Sequence, residues 1–393
     1  MRRISVFFMV LLLLSFPALA SASQATLPDA EAVSAALLVE PETCTRLWAN
    51  RADEQYVVAG LSKLPALLTL AQAFDDGAID ASAKMRVSER AAGVPGPTAF
   101  LEANEELDAG TLMKAAVMIS AGDAIMTLGE NAYGSESVFV DNINVTLRQL
   151  GLTVALTDAM GTGAGFSAWD ISLLGMAAAK SDTFLGCSRI FYDEIQHSDG
   201  RETELVSANR LLKSYAGCIG LQTGSSSEVG YGGVFLVERN GMRLIAVVLG
   251  AQNASTRAGA ATTLLDYGFA TFRTQTLVAA GKPIKTNVPV RNGNVKVIDL
   301  VARENVTTIA RTADGDLTQT FELPEYLEAP LDVTVSVGTV TFANASGEVI
   351  ATAPLYHSGP LHFVLAELKL GATVLVFEKF DAEQVLAGIE RHQ

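Results

Sequence analysis

Three short stretches of this chain carry hydroxyl, amine and amide groups in an arrangement that could activate a serine. The stretches are Ala59–Pro65, Ser120–Asp123 and Gln222–Gly224. The first contains Ser62 and Lys63 and the second contains Ser120, and a serine hydroxyl with an amine neighbour can in principle be activated to attack a carbonyl carbon. The three stretches together have the outline of a site for acyl transfer through a serine.

Apolar residues recur at helical or strand spacing around these stretches, and they predict the elements that would position them. The predicted helices are Leu64–Phe74, Leu112–Ile119 capped by Thr111, Asp123–Leu128, Ser137–Leu150, Ile171–Lys180 and Thr262–Arg273. The predicted strands are Ser34–Glu40, Arg46–Asn50, Met85–Val87, Leu221–Gly224, Val234–Glu238 and Leu244–Gly250. Asn240-Gly241 predicts a hairpin turn between the last two strands, because both residues tolerate positive φ. Ser167 and Asp170 form a capping-box pattern at the start of a helix.

The order of these elements predicts two folded domains. The first, residues 21–274, is an α+β domain built from an antiparallel sheet with helices, and the second, 275–375, is a small all-β domain. The strand candidates of the second domain are Val295–Ile298, Val333–Val337 and Val340–Phe342. Residues 1–20 read as a signal peptide, with two arginines, an apolar core and a small-residue cleavage site. Residues 376–393 form a tail whose last part, 381–393, predicts a short helix too weakly apolar to anchor the chain in a membrane.

Composition excludes several classes of function. The chain has 393 residues with 28 basic and 43 acidic side chains, a net charge of −15 that disfavours nucleic acids and anionic membranes. No metal motif matches the spacing of the histidines or of the three cysteines, Cys44, Cys187 and Cys218. The sequence also has no glycine-rich loop of the kind that binds a phosphate-bearing cofactor. An oxidising compartment would permit one disulfide, between Cys187 and Cys218, but three buried free thiols are the preferred interpretation.

The layout resembles the serine-type D-alanyl-D-alanine carboxypeptidases, the low-molecular-mass penicillin-binding proteins. The resemblance extends over residues 30–375. Its matching phrases are Gln149-Leu150-Gly151-Leu152, Asp170-Ile171-Ser172-Leu173-Leu174-Gly175, Asn209-Arg210-Leu211-Leu212 and Thr223-Gly224. The resemblance implies a β-lactamase/DD-peptidase-like domain followed by an all-β domain.

The family uses three motifs, and the chain departs from each of them. Ser-x-x-Lys aligns with Gly60-Leu61-Ser62-Lys63, so the lysine is kept and the nucleophile is a glycine. Ser-x-Asn aligns with Ser120-Ala121-Gly122, which loses the asparagine, and Lys-Thr-Gly aligns with Gln222-Thr223-Gly224, which loses the lysine. A histidine frequent after the third motif is Ser225, and an arginine common in the family is Gln252. The resemblance therefore assigns residual catalytic positions to Lys63 and Ser120, and degenerate substrate-binding positions to Gly122, Gln222, Thr223 and Gly224.

Two serines are candidates for a relocated nucleophile. Ser62 lies two positions after Gly60, and on a helix two positions turn the side chain by about 200°, towards the opposite face. Ser120 would preserve a serine–lysine pair if folding placed it beside Lys63. Without such a replacement, losing the nucleophile costs on the order of a million-fold in turnover.

Three functions follow from the sequence. The preferred one is an exported protein of cell-wall metabolism, periplasmic or otherwise extracytoplasmic, that has lost its hydrolase activity. Its expected partner is a peptidoglycan stem peptide or an active cell-wall enzyme. The first alternative is an active D-alanyl-D-alanine carboxypeptidase acting through Ser62 or Ser120. The second is a structural envelope protein that acts through its β domain.

Overall fold

The computed structural model describes residues 25–302, 305–329, 336–345, 347 and 349–356. The chain divides between Arg273 and Thr274 into two compact units. The predicted signal peptide (1–20), the tail (376–393) and most of the predicted strand Val333–Val337 lie outside the described residues.

The unit that ends at Arg273 mixes helices and strands in chain order, as the periodicity predicts. Its helices are α1 Pro28–Glu31, α2 Leu64–Asp75, α3 Glu89–Ala92, α4 Ala109–Ile119, α5 Gly122–Tyr133, α6 Glu136–Gln149, α7 Ala168–Ala178, α8 Asp182–Ser188, α9 Leu211–Ser214 and α10 Ala254–Thr271. Its strands are β1 Ala35–Glu40, β2 Thr45–Asn50, β3 Tyr56–Val57, β4 Lys84–Arg86, β5 Glu106–Asp108, β6 Gly165–Phe166, β7 Tyr192–Gln196, β8 Glu202–Val206, β9 Cys218–Ser226, β10 Gly230–Arg239 and β11 Met242–Ala251.

A five-stranded antiparallel sheet in the order β2-β1-β11-β10-β9 organises this unit and leaves β9 at one edge. Helices cover both of its faces. An added Cβ on Gly175 of α7 would meet Ile245, and one on Gly268 of α10 would meet Leu244. Successive strand residues point to opposite faces, so α7 and α10 pack on opposite sides of the sheet. This double burial explains why β1 and β11 read as continuous apolar runs rather than as alternating ones.

Several local predictions are confirmed and two helix boundaries are corrected. The Asn240-Gly241 turn joins β10 to β11, and Ser167 and Asp170 form the capping box of α7. However, α4 begins at Ala109 rather than after Thr111, because the chain passes directly from β5 into the helix with Asp108 at the N-cap position. Likewise α10 begins at Ala254 rather than Thr262, because its first turns consist of small residues that carry little hydrophobic periodicity.

The second unit is built from strands, as predicted. They are β12 Phe272–Val278, which begins just before the boundary, β13 Pro283–Arg291, β14 Val297–Val301, β15 Val306–Arg311, β16 Thr318–Glu322, β17 Leu327–Glu328, β18 Ser336–Ala343 and β19 Val349–Tyr356. The sheets are β14-β13-β17, β16-β18-β19 and β12-β15. A small core that includes Leu300 and Phe342 stabilises this unit.

The three cysteines are all free, so no Cys187–Cys218 disulfide forms. Of the three thiols predicted to be buried, only Cys187 is buried. Cys218 is half-buried, and Cys44 is exposed because it lies in the turn between β1 and β2. Within the described ranges, no helix is both long enough and apolar enough to cross a membrane.

Candidate functional site

All three sequence stretches meet at one open cleft of about 420 Å³ in the first unit. The predicted site residues that line it are Gly60, Ser62, Lys63, Ser120, Thr223 and Gly224. Gly122 and Gln222 are not among the lining residues. An ideal Cβ on Gly122 would lie 3.5 Å from Nζ of Lys63, and Gln222 donates a hydrogen bond to the Ser120 hydroxyl. Over the part of the chain that the structure describes, no group of three or more His, Cys, Asp or Glu side chains is placed to hold a metal ion.

The first stretch forms a turn of 3₁₀-helix, Ala59–Lys63, that leads directly into α2. Residues three apart in a 3₁₀-helix are eclipsed, so Gly60 and Lys63 lie on the same side of the turn. Ala59 has a φ of 48°, in the left-handed region that residues with a Cβ seldom adopt. Such strain is typical of functional sites. The turn therefore places Gly60, which has no side chain, on the same side as Lys63.

Two glycines bring this turn into close backbone contact with the edge strand β9. An ideal Cβ on Gly60 would lie 3.2 Å from the Cα of Gly224. A Cβ on Gly224 would lie 2.6 Å from the backbone nitrogen of Leu61, closer than real Cβ atoms come. The backbone of β9 is therefore in close contact with the position that the Cβ of a residue at position 60 would occupy.

Ser62 points away from Gly60 and Lys63. Its hydroxyl donates a hydrogen bond to the carbonyl oxygen of Met160 at 2.7 Å. The neighbouring Gly161 has a φ of 64°, and an added Cβ there would lie 2.5 Å from the Ser62 carbonyl oxygen. The Ser62 hydroxyl is therefore bound to the 160–161 loop rather than to Lys63.

Ser120 ends α4 in a left-handed conformation, with a φ of 57°. The amine of Lys63 donates a hydrogen bond to the carbonyl oxygen of Ser120 at 2.8 Å. The hydroxyl of Ser120 accepts a hydrogen bond from Nε2 of the buried Gln222. Folding therefore brings Ser120 beside Lys63, as the hypothesis of Ser120 as a relocated nucleophile required. However, the Lys63 amine contacts the carbonyl oxygen of Ser120 and not its hydroxyl. The hydrogen bond from Gln222 to the Ser120 hydroxyl connects β9 to the end of α4.

Lys63 is almost completely buried, with only 6% of its surface exposed. Burial lowers the pKa of its amine from 10.5 to about 8, against the opposing effect of the negative charge of Asp123. The amine donates to a carbonyl oxygen rather than to a carboxylate. A buried amine with this pKa is partly neutral at mildly alkaline pH, so it could accept a proton.

The space that an asparagine would occupy at position 122 is filled by other groups. An ideal Cβ on Gly122 would lie 2.6 Å from Cγ1 of Val94, 3.4 Å from Sδ of Met160 and 3.5 Å from Nζ of Lys63. Val94 and Met160 pack into the place of the missing amide. A side chain at position 122 would therefore meet mostly apolar groups, together with the amine of Lys63.

Arg257 is a site residue that sequence reasoning missed. It lines the cleft and is 3% exposed, while Gln252, where the family resemblance placed a lost arginine, lies on the surface. Its Nη1 and Nη2 donate to the carbonyl oxygens of Gly232 and Ala208, and its buried Nε has no partner in the described structure. Burial, with the nearby charge of Arg210, lowers its pKa to about 10, so the guanidinium is a cation at neutral pH.

A sequence signal for Arg257 did exist. Asn253 caps α10, with its side chain accepting a hydrogen bond from the backbone N–H of Thr256 at 2.9 Å. Recognising that cap would have placed Arg257 in the first turn of a helix directly after the β10–β11 hairpin. Two cations, Lys63 and Arg257, therefore line a cleft in a protein of strongly negative net charge.

We expect Lys63→Met to stabilise the protein below pH 8. The folded pKa is lower than the unfolded one, so the unfolded state binds more protons between pH 8 and 10.5, and wild-type stability rises with pH in that window. Below pH 8 the buried charge of Lys63 lowers the free energy of unfolding of the wild type by about 3 kcal/mol. The variant regains this free energy, but it loses the hydrogen bond to the Ser120 carbonyl oxygen, which offsets part of the gain. A net stabilisation of about 1–2 kcal/mol at pH 6 should shrink by pH 9, as measured by urea unfolding.

Lys84→Met is the matched control for this experiment, because the Lys84 side chain is 61% exposed. It should show no comparable pH trend. The burial of a charged amine would be contradicted if Lys63→Met were less stable than wild type at pH 6 and as stable as wild type at pH 9.

Comparison with known proteins gives two family matches that together span most of the chain. Residues 21–253 match the profile described as D-alanyl-D-alanine carboxypeptidase. Residues 272–359 match the profile described as penicillin-binding protein 5, C-terminal domain. The first match covers more than half of the chain.

Curated relatives align along nearly the whole length. The D-alanyl-D-alanine carboxypeptidase DacF of Bacillus subtilis is 28% identical over 363 residues, which cover 90% of this chain and 93% of DacF. The D-alanyl-D-alanine carboxypeptidase DacC of Escherichia coli K12 is 28% identical over 329 residues, 78% of each chain.

Solved structures share the fold. Penicillin-binding protein 5 from Haemophilus influenzae superimposes with a TM-score of 0.75 at 24% identity, covering 83% of this chain and 96% of its own. The D-alanyl-D-alanine carboxypeptidase DacD from Francisella tularensis superimposes with a TM-score of 0.71 at 18% identity, covering 87% of this chain and 95% of its own. These similarities confirm the predicted fold class, a DD-peptidase-like α+β domain followed by a small all-β domain.

Proposed function

The chain belongs to the D-alanyl-D-alanine carboxypeptidase family of peptidoglycan metabolism, and from that premise we propose that it binds peptidoglycan stem peptides without cleaving them. It is a binding protein built on a hydrolase scaffold. The same proposal puts it outside the cytoplasm, in the periplasm or another extracytoplasmic space, where the signal-peptide pattern at residues 1–20 would direct it.

One observation supports the proposal: within the described residues, neither of the two candidate hydroxyls, those of Ser62 and Ser120, is hydrogen-bonded to the Lys63 amine. Gly60 stands at the nucleophile position, and the hydroxyls of Ser62 and Ser120 are bound to the Met160 carbonyl and the Gln222 amide. Ser62 would have to break its hydrogen bond to the Met160 carbonyl oxygen and turn towards Lys63 before it could react, and for Ser120 the Lys63 amine would have to leave the Ser120 carbonyl oxygen. This arrangement argues against the alternative of a relocated nucleophile.

The cleft contains groups that could recognise the end of a peptide. Arg257 has five N–H donors and uses two of them on carbonyl oxygens, so it can still bind a terminal carboxylate. The edge strand β9 lines the cleft, and the main-chain groups of an edge strand can pair with an extended peptide. These features favour a peptide in the cleft over an enzyme partner on a broad surface, and over a role confined to the β domain.

The test is calorimetric titration with a stem-peptide analogue ending in D-alanyl-D-alanine, and with the same peptide ending in a carboxamide. We expect the acid form to bind and the amide form to bind at least about ten-fold more weakly, because only the carboxylate pairs with Arg257. Arg257→Gln should remove that preference. Arg148→Gln, a change on the exposed surface of α6, is the matched control and should leave it intact.

The same samples are assayed for D-alanine release and for covalent labelling by a fluorescent penicillin. The proposal requires binding with neither reaction. Released D-alanine or a labelled band would establish a working nucleophile, and no binding of either peptide would reject the binding role.

A further inference from the structure

Phe100 is an aromatic side chain held outwards by a strained backbone beside the cleft. It has a φ of 57°, and 63% of its surface is exposed. For a bulky residue the left-handed region is a genuine outlier, and such conformations persist only where the surroundings enforce them. A glycine would adopt this backbone without strain and would expose no apolar ring.

The surroundings fix the main chain of Phe100 from every direction. Its N–H donates to the hydroxyl of Thr98 at 2.9 Å, and its carbonyl oxygen accepts from Nη1 of Arg201 at 2.9 Å. The N–H groups on either side of it, those of Ala99 and Leu101, both donate to the buried carboxylate of Asp123. The main chain that carries the ring is therefore set before any ligand arrives, which lowers the entropy lost on binding.

The same carboxylate connects this loop to the site. Asp123 follows Gly122 in the first turn of α5, and the N–H of Gly122 donates to the carbonyl oxygen of Pro97 at 2.8 Å. Pro97 lines the cleft and lies three residues before Phe100, so the Cα atoms of these two residues are at most about 11 Å apart. A ligand that extends out of the cleft on this side would reach it.

We propose that Phe100 stacks on a sugar ring of the glycan to which the bound stem peptide is attached. This inference rests on the proposed function, because it extends the peptide site to the carbohydrate part of the same polymer. One face of a pyranose consists of C–H groups that pack on an aromatic ring, while its hydroxyl groups point outwards to polar partners.

The groups around Phe100 fit a sugar better than an apolar partner. Arg201 forms ion pairs with Glu102 and Asp199, and these three charged side chains lie at the surface beside the loop. They offer hydrogen-bond donors and acceptors around a single ring. A protein partner would need a broader apolar patch for stable docking.

The experiment compares two ligands: a stem peptide ending in D-alanyl-D-alanine, and the same peptide joined to its N-acetylglucosamine–N-acetylmuramic acid disaccharide. We expect wild type to bind the disaccharide-peptide about ten-fold more tightly than the peptide. Phe100→Gly should abolish this difference and leave the affinity for the peptide unchanged, and Phe100→Tyr should retain it. Val145→Ala, at an exposed apolar position on α6, is the matched control and should behave as wild type.

Thermal unfolding tests the strain separately. The Phe100→Gly variant should melt about 2–4 °C above Phe100→Ala, because only glycine relieves the left-handed backbone. Equal melting temperatures would remove the reason for assigning the ring a role, and would overturn the inference.

The two proposals fail in different ways. If wild type binds neither ligand, the proposed function is wrong. If wild type binds both ligands equally, or if Phe100→Gly keeps the ten-fold preference, the glycan contact is wrong while the peptide site stands. Equal loss of both ligands in Phe100→Gly would also overturn it, because the residue would then only support the loop.

Discussion

The Asp123→Ala variant is expected to lose about 3–5 kcal/mol of the free energy of unfolding. The Asp123 carboxylate is 1% exposed and accepts hydrogen bonds from the N–H groups of Ala99 and Leu101 and from the hydroxyl of Thr98. Alanine leaves these buried donors without an acceptor. Urea unfolding followed by tryptophan fluorescence measures the loss.

Asp80→Ala is the matched control, because the Asp80 carboxylate also binds an N–H and a hydroxyl, both of Ser82, but in an exposed turn. Water can replace the carboxylate there, so the unfolding midpoint should hardly move. Equal losses in the two variants would show that the number of hydrogen bonds, and not their burial, decides the effect.

The Asp123→Ala variant should also lose ligand binding before it unfolds. The Asp123 carboxylate fixes the loop that runs from Pro97, which lines the cleft, to Leu101. Titration of the folded variant with the stem-peptide analogue checks this consequence. Unchanged affinity would mean that the loop keeps its shape without the carboxylate.

Restoring a serine at position 60 is expected to yield only slow acylation by a fluorescent penicillin. A hydroxyl there would share a face with Lys63, but its Cβ would press on the Cα of Gly224 at 3.2 Å. The amine would also remain bound to the Ser120 carbonyl oxygen. Under the proposed function, a hydroxyl added at position 60 without supporting groups provides only a small part of the catalysis of a complete site, in which a nucleophile is worth on the order of a million-fold.

Completing the family motifs should accelerate this reaction by about a hundred-fold or more. The variant combines Gly60→Ser with Gly122→Asn and Gln222→Lys, and it includes Val94→Ala to free the space now 2.6 Å from the Gly122 Cβ position. Lysine at 222 adds a cation for the substrate, and asparagine at 122 supplies the missing amide. Time courses of labelling on gels give the relative rates.

The matched control carries the same three supporting changes with Gly60→Ala in place of Gly60→Ser. It should not be labelled, because it has the added Cβ and no hydroxyl. Labelling of this control would mean that another residue is the nucleophile. Equal rates for the single and the combined variants would mean that the supporting motifs do not limit the reaction.

Local signals in the sequence predicted many elements of the fold, but not the strands β7 and β8 or the order of the strands in the main sheet. The hairpin at Asn240-Gly241 and the capping box of Ser167 depend on residues next to each other in the chain, and both are confirmed. The start of α10 was missed because its first turns are made of small residues, and with it the placement of Arg257 was missed.

The sequence by itself determined which groups this protein lacks: a hydroxyl at Gly60, an amide at Gly122 and a cation at Gln222. Only the tertiary structure decided what the remaining groups do. It places the Lys63 amine on the carbonyl of Ser120 rather than on its hydroxyl, and it places Arg257 in the cleft. Hydrogen bonds form only within about 3 Å and along set directions. For residues this far apart in the chain, those positions depend on how β9, α4 and α10 pack around the 3₁₀ turn, which no local pattern in the sequence encodes.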